Sequence, residues 1–244
     1  MNNYAKAGLF LSIGLILAAA IFGYNYRAAK KHSDMIHQTI RVKGYAVKNI
    51  TSDFATWNGN FSVRAVTLKA AYDMLEKHKQ LIEKYLLKEN IPAASMDFSQ
   101  IRVNSNFKVN NQGYSTNEIM DYTLNQSISI ESHDLDLVTG VSKDISSLIQ
   151  QGINISSYSP AYLYTKIEDL KIEILAEAAS NAKMRAESLA ASTGSKVGPL
   201  TYASQGVFQI TSPHSYEVSD YGRFDTHTIE KSIKAVVTME FAID

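Results

Sequence analysis

The chain has 244 residues, 45% of them hydrophobic and 20% charged, and its 24 basic side chains are matched by 24 acidic ones. That balance excludes a disordered tail or a polycationic arm, and the length suffices for one large domain or two small ones with a substantial core. Cysteine is absent, which excludes disulfide frameworks, thiolate zinc sites, iron–sulfur clusters and a cysteine nucleophile.

Glycine (12) and proline (4) are scarce, so long regular elements with few turns are expected. Zero net charge hides an asymmetry. Lys6, Arg27, Lys30 and Lys31 are the only charged residues before His32, which leaves the rest of the chain mildly acidic. Without a basic stripe, nucleic acid is not an expected partner.

Between Lys6 and Arg27 runs an uncharged stretch, Ala7 to Tyr26, with Leu9, Phe10, Leu11, Ile13, Leu15, Ile16, Leu17, Ile21 and Phe22 at its centre. A helix of that length spans roughly 30 Å, the thickness of the hydrocarbon core, so residues 7–26 are expected to cross a lipid bilayer once. Tyr24 and Tyr26 lie where an interfacial aromatic belt falls. The alternative is a cleaved signal peptide with Ala18-Ala19-Ala20 as its small-residue site, although the apolar run continues through Ile21 and Phe22. Arg27, Lys30 and Lys31 follow the span and only Lys6 and the amino terminus precede it. Charge alone therefore favours a cytoplasmic C-terminal part, although long domains are translocated despite such a bias. Residues 1–31 read as anchor or signal peptide with its basic flank, 32–38 as a linker, and 39–244 as the folded domain.

From Thr39 onward the apolar period switches between 2 and 3.6. Ile40, Val42 and Ala46 alternate with Arg41, Lys43 and Tyr45 in a first strand. Ala55, Trp57, Gly59, Phe61, Val63 and Ala65 alternate with polar residues in a second, expected to pair antiparallel with the first. Leu68, Ala71, Tyr72, Leu75, Ile82, Tyr85 and Leu86 mark an amphipathic helix that stops before Asn90-Ile91-Pro92. Its charged side, with Lys69, Glu76, Lys77, Lys79, Glu83 and Lys84, reads as a solvated face.

Ile101 to Val109 and Met120 to Ile130 form a long hairpin around Asn110-Asn111-Gln112-Gly113. Asp134 is the expected N-cap of a second helix that carries Val138, Val141, Ile145, Leu148 and Ile149 and ends at Gly152. A tyrosine-rich strand from Ile153 to Tyr164 comes next. A third helix from Ile167 to Ser192, stopped by Gly194, follows it. Val197 to Ile210 reads as extended, Pro213 to Thr228 as a long mobile loop, and Ile233 to Ile243 as a closing strand. Strands apolar on one face only, interleaved with helices, define an α+β fold with antiparallel sheets and amphipathic helices packed on one face. Two strands and a helix recur at 39–90 and 96–151, which suggests an internal repeat.

The opening strand Ile40-Arg41-Val42-Lys43-Gly44-Tyr45-Ala46 and the third helix with its exit resemble the SIMPL-domain family, bacterial envelope proteins of unknown function. The helix carries Ala176, Ala179, Ala182, Lys183, Arg185, Ala186, Leu189 and Ala190, then Gly194-Ser195-Lys196-Val197-Gly198, similar to the family's Ala-rich helix and G-x-x-x-G turn. The variable loop before a closing amphipathic strand matches as well, and the resemblance covers residues 39 to 244. Where family members commonly have Pro-Asp between the first two strands, this chain has Thr51-Ser52-Asp53. The resemblance implies a single-pass protein of the bacterial inner membrane with its domain in the periplasm, or the same domain released there after signal cleavage. It also implies assembly into homo-oligomers and no established reaction; a broad role in envelope maintenance or stress protection is the expected function, and no cofactor is expected.

No P-loop, G-x-S-x-G, H-E-x-x-H, G-x-G-x-x-G or EF-hand pattern occurs, so no catalytic residue is assigned. Glu131, His133 and Asp136 are weak candidates for a divalent ion, and with it a metal-dependent hydrolase. The simpler reading is a strand end followed by a capped helix with acids in its first turn. Trp57, on the apolar face of its strand, belongs to the core. Tyr158, Tyr162 and Tyr164 share one parity in the fifth strand and are candidates for an oligomer interface. The loop 213–228 is the candidate binder of a peptide or envelope component.

Overall fold

A computed structural model describes residues 13–27, 30, 38–215 and 217–243. Residues 13–27 are helical, and among the described residues no helix is long and apolar enough to cross a membrane. Residues 7–12 of the expected span and 32–37 of the expected linker lie outside the described residues.

The domain is α+β and contains two antiparallel-based sheets with separate cores. The terminal sheet pairs β1 (Thr39–Thr51) with β11 (Glu230–Ile243) along its whole length. On the other edge of β11 lie β8 (Val197–Gln205) and β9 (Gln209–Thr211), and β10 (Arg223–Phe224) runs parallel to β9. The central sheet is built on β2 (Phe54–Ala65) and β5 (Ser115–Ser132). β6 (Asn154–Ser157) and β7 (Ala161–Leu163) flank β2, while β3 (Met96–Phe98) and β4 (Arg102–Val109) flank β5.

β1 and β2 therefore do not form the expected hairpin. Alternation sets which face of a strand is apolar and leaves the identity of the neighbouring strand open. The inner edge of β1 is taken by β11 and that of β2 by β5, so the chain changes sheet at Ser52-Asp53. The suggested two-strands-and-helix repeat fails for the same reason, because its first two strands belong to different sheets.

Two helices cover the central sheet. In α1 (Leu68–Lys88) the buried residues are Ala71, Leu75, Ile82 and Leu86, and Thr67 caps its start by accepting from the Ala70 amide. α2 (Leu135–Asp144) is capped by Asp134, as expected, through the Leu137 amide at 2.9 Å, and then tightens into a 3₁₀ turn that ends at Gly152 in the left-handed conformation. Between helices and sheet, Trp57 and Phe61 are fully buried, and the Trp57 indole N–H reaches Ser157 Oγ at 3.0 Å. A Cβ at Gly59 would fall 2.6 Å from that indole, so the ring occupies the room glycine leaves.

The terminal sheet is covered by α3 (Ile167–Ser192), whose buried residues fall every fourth position: Leu170, Ile174, Ala178, Ala182, Ala186 and Ala190. Small side chains along that stripe bring the helix backbone down onto the strand. A Cβ at Gly44 would sit 2.2 Å from the Ala178 carbonyl oxygen and 2.5 Å from the Ala182 amide nitrogen. From this position α3 also closes the free edge of β1. Tyr45 N–H donates to Asn181 Oδ1, Arg185 donates to the Lys43 carbonyl oxygen, and Lys48 pairs with Glu173 at 2.6 Å. Capping of this kind keeps a long edge strand from pairing with another chain.

Two late expectations are corrected. The tyrosine-rich strand is broken at Tyr158-Ser159-Pro160 into β6 and β7, since proline cannot donate to a ladder. The stretch 213–228 is not a free loop: it contains β10 and is tied down by side-chain bonds described below.

Gly44→Ala is expected to lift α3 from β1 and to cost roughly 2–3 kcal/mol, read by urea denaturation. An unchanged midpoint would contradict the close contact.

Candidate functional site

The two sheets meet where the chain changes sheet. Ser52 N–H donates to the Ile229 carbonyl at 2.9 Å, Asp53 N–H to Leu163 at 3.0 Å, and Tyr162 N–H to Thr226 at 2.7 Å. The Asp53 carboxylate accepts from Thr165 twice, from its amide and its hydroxyl, each at 2.7 Å. The Asp53 carbonyl lies 2.7 Å from His133 Nδ1. Burial pushes the Asp53 carboxyl up, but the Thr165 bonds and the nearby His133 outweigh it and hold the group below its ordinary value.

Beside this junction the segment 209–231 folds on its own polar side chains. The buried Gln209 amide clamps Ser219, donating to its carbonyl oxygen at 2.6 Å and accepting from its amide at 3.3 Å. Asp225 gathers the His227 amide at 2.7 Å and the Thr228 hydroxyl, and Arg223 pairs with Glu217. Three clefts of about 520, 490 and 470 Å³ open around the segment. The first is polar, with Ser212, Ser215, Glu217, Arg223, Asp225 and His227 on its wall. The second is more apolar, with Val207, Phe208, Tyr221 and Phe224. The third lies between the segment and the outer face of the terminal sheet at Val47 and Lys234. Paired charges, hydroxyls and exposed aromatics side by side suit recognition of an extended polar chain with apolar side groups.

Beneath the first cleft lies Lys231, only 1% exposed, whose ammonium donates to the Thr228 carbonyl oxygen. It stands opposite Ile50 on the helix-facing side of β11, in line with Ile233, Ala235 and Val237. Burial pushes its pKa down, and the charge of Asp225 acts against that shift. For Asp225, burial pushes upward, while Thr228, the His227 amide and Lys231 together hold it below the ordinary value. Nearby Ser52 is also buried, and its hydroxyl has no hydrogen-bond partner.

The residues singled out from sequence are not brought together. β5 ends at Ser132, so Glu131 and His133 do not share a strand face. The His133 ring is engaged with Asp53, and Asp136 lies in the first turn of α2 behind its Asp134 cap. Among the described residues no three His, Asp or Glu side chains are placed to hold a metal ion. Tyr158 is exposed, whereas Tyr162 is buried in the central core with its hydroxyl 2.7 Å from Thr139 Oγ1. Tyr164 packs against the other core. The break at Pro160 destroys their common parity, and burial takes Tyr162 off the surface.

Sequence reasoning missed Ser52, Asp53, Gln209, Asp225 and Lys231. A signal existed for the last, because Lys231 is a charged residue in phase with the inward alternation of the closing strand.

Over residues 40–241 the chain matches the family described as SIMPL, protein of unknown function (DUF541). It belongs to that family. No curated protein matches it.

Lys231 is a buried cation bonded to the Thr228 carbonyl and favoured by the nearby charge of Asp225, so removing the one and the other has opposite consequences. Lys231→Met is expected to leave the melting temperature unchanged or raise it, and Asp225→Ala to cost about 1–3 kcal/mol by removing the acceptor of the His227 amide and Thr228 hydroxyl and the negative charge that favours the ammonium. Thermal melts of the two variants decide the matter, and a large loss in Lys231→Met would contradict the account.

Proposed function

We propose that this SIMPL-domain protein is held in the bacterial inner membrane by one N-terminal span, displays its domain in the periplasm, and self-assembles there without catalysing a reaction. Its broad role on this reading is maintenance or stress protection of the envelope. The observation that carries the anchor is the helix at 13–27. Leu15, Ile16, Leu17, Ile21 and Phe22 are all exposed on it, and no other part of the described chain covers them. A helix apolar all round is stable when lipid surrounds it. Periplasmic placement rests on family resemblance, against the weak charge bias around the span.

A second reading has one observation in its favour. The three clefts gather on the segment 205–234, which suits a binding module for a peptide or envelope component.

Orientation is tested by fusing a reporter enzyme that works only outside the cytoplasm after Asp244. Activity of the fusion in membranes is the expected result. A fusion active only as a cytoplasmic reporter would contradict the placement, and a soluble periplasmic fusion lacking the first residues would replace the anchor by signal cleavage.

A further inference from the structure

The long outer strands of the two sheets are not protected alike. β1 is closed by Asn181 and Arg185. β8 carries Pro199 and shifts register against β11. β4 pairs with β5 alone and contains no proline. Ser127 exchanges bonds with Ser99, its carbonyl accepting from the Ser99 amide and its amide donating to the Ser99 hydroxyl, so odd-numbered residues of β5 turn their backbone toward the β3–β4 side. The pairs Asn125–Arg102, Thr123–Asn104 and Asp121–Asn106 are thus the bonded ones, and Val103 and Ser105 point their N–H and C=O groups outward.

The ribbon formed by β4 and the start of β5 is also bare. Val103, Phe107, Val109 and Ile119 are all exposed, and Phe107 lies opposite Ile119. The extra residues at the register shifts fall on β5, where one step from Asn106 to Phe107 is matched by two from Asp121 to Ile119, so β4 itself runs unbroken. A two-stranded ribbon with neither face covered is marginal in water. Its Lys108 reaches Glu118 across the ribbon at 3.0 Å, an exposed pair that leaves the lysine charged.

We infer that β4 pairs antiparallel with β4 of a second copy of this chain, about a two-fold axis at Asn106, joining two central sheets into one. The occupant follows from side-chain complementarity. Alternation allows two-fold registers centred on Ser105 or on Asn106, because only those keep outward backbone groups facing each other near the middle of the strand. Centring on Ser105 sets Arg102 against Lys108, like charges directly opposite, which is unfavourable. Centring on Asn106 sets Val103 against Val109, Ser105 against Phe107, Asn104 against Lys108 and Asn106 against itself. The apolar stripes of the two copies then run on continuously, and no like charges meet. An isologous contact of this kind closes at two copies.

This inference rests on the self-assembly reading and specifies its interface. It is tested with the full chain in detergent micelles, whose lack of cysteine makes single-cysteine cross-linking clean. Asn106→Cys is expected to form a covalent dimer on mild oxidation and Ser105→Cys to form little. Ser105→Pro, which removes an outward N–H and leaves the bonds to β5 in place, is expected to weaken dimerisation roughly tenfold or more by light scattering. A multimer that Ser105→Pro leaves intact, with no Asn106→Cys cross-link, would overturn the β4 interface and spare self-assembly. A full chain that stays monomeric at every concentration would overturn both.

Discussion

The terminal sheet depends on a helix backbone lying directly on a strand backbone. At Gly44 the strand has no side chain to hold α3 away, and Ala178 and Ala182 put only methyl groups on the buried side of the helix. That contact sets the thickness of one core, in which alanines of the helix and strands pack with larger residues such as Ile174, Ile233 and Phe241. It also brings Asn181 and Arg185 within reach of the β1 edge. The stripe of small residues therefore serves both packing and edge protection, since it sets the helix close enough for Asn181 and Arg185 to occupy the β1 edge.

With β11 along one edge of β1 and α3 bonded to the other, no place remains for β2 beside β1. The chain turns out at Ser52-Asp53 and starts a second sheet with its own helices. Polar bonds cross between the halves: the Ser52 amide to Ile229, the Tyr162 amide to Thr226, and Asp53 with Thr165 and His133. Apolar contact between the halves would be indifferent to register, whereas these hydrogen bonds are met in one arrangement only. The clefts open beside this joint, on a segment held by Gln209 and Asp225. A ligand there would touch residues whose positions both sheets help to define.

Much of this was legible in the sequence, and the misses share a cause. Period-2 alternation located β1, β2, β5 and β11, the 3.6 period located the helices, and Asp134 and Gly194 marked a start and a stop because capping is local chemistry. The pairing of β1 with β11 was not legible, because it joins residues far apart in the chain, and alternation names faces and not neighbours. The tyrosine strand was misread although Pro160 stood in its middle. Parity across a break carries no information, and Tyr162 consequently lies in the core. The polar joint was invisible as a group, since Asp53, His133 and Thr165 are far apart in the chain and meet only in the fold. Lys231 was the exception, an ammonium in phase with apolar residues.

Membership of the SIMPL family over residues 40–241 gives the fold a place without giving it a chemistry. Edge protection differs between the sheets: β1 is sealed from within by α3, while β4 is the edge we propose for a second copy. Amide hydrogen exchange of the full chain across a range of concentrations tests this most directly. The Tyr45 amide, bonded to Asn181, is predicted to exchange slowly at every concentration, and the Ser105 amide to exchange quickly when dilute and slowly when concentrated. Rapid exchange at Tyr45, or an unchanging rate at Ser105, would contradict it.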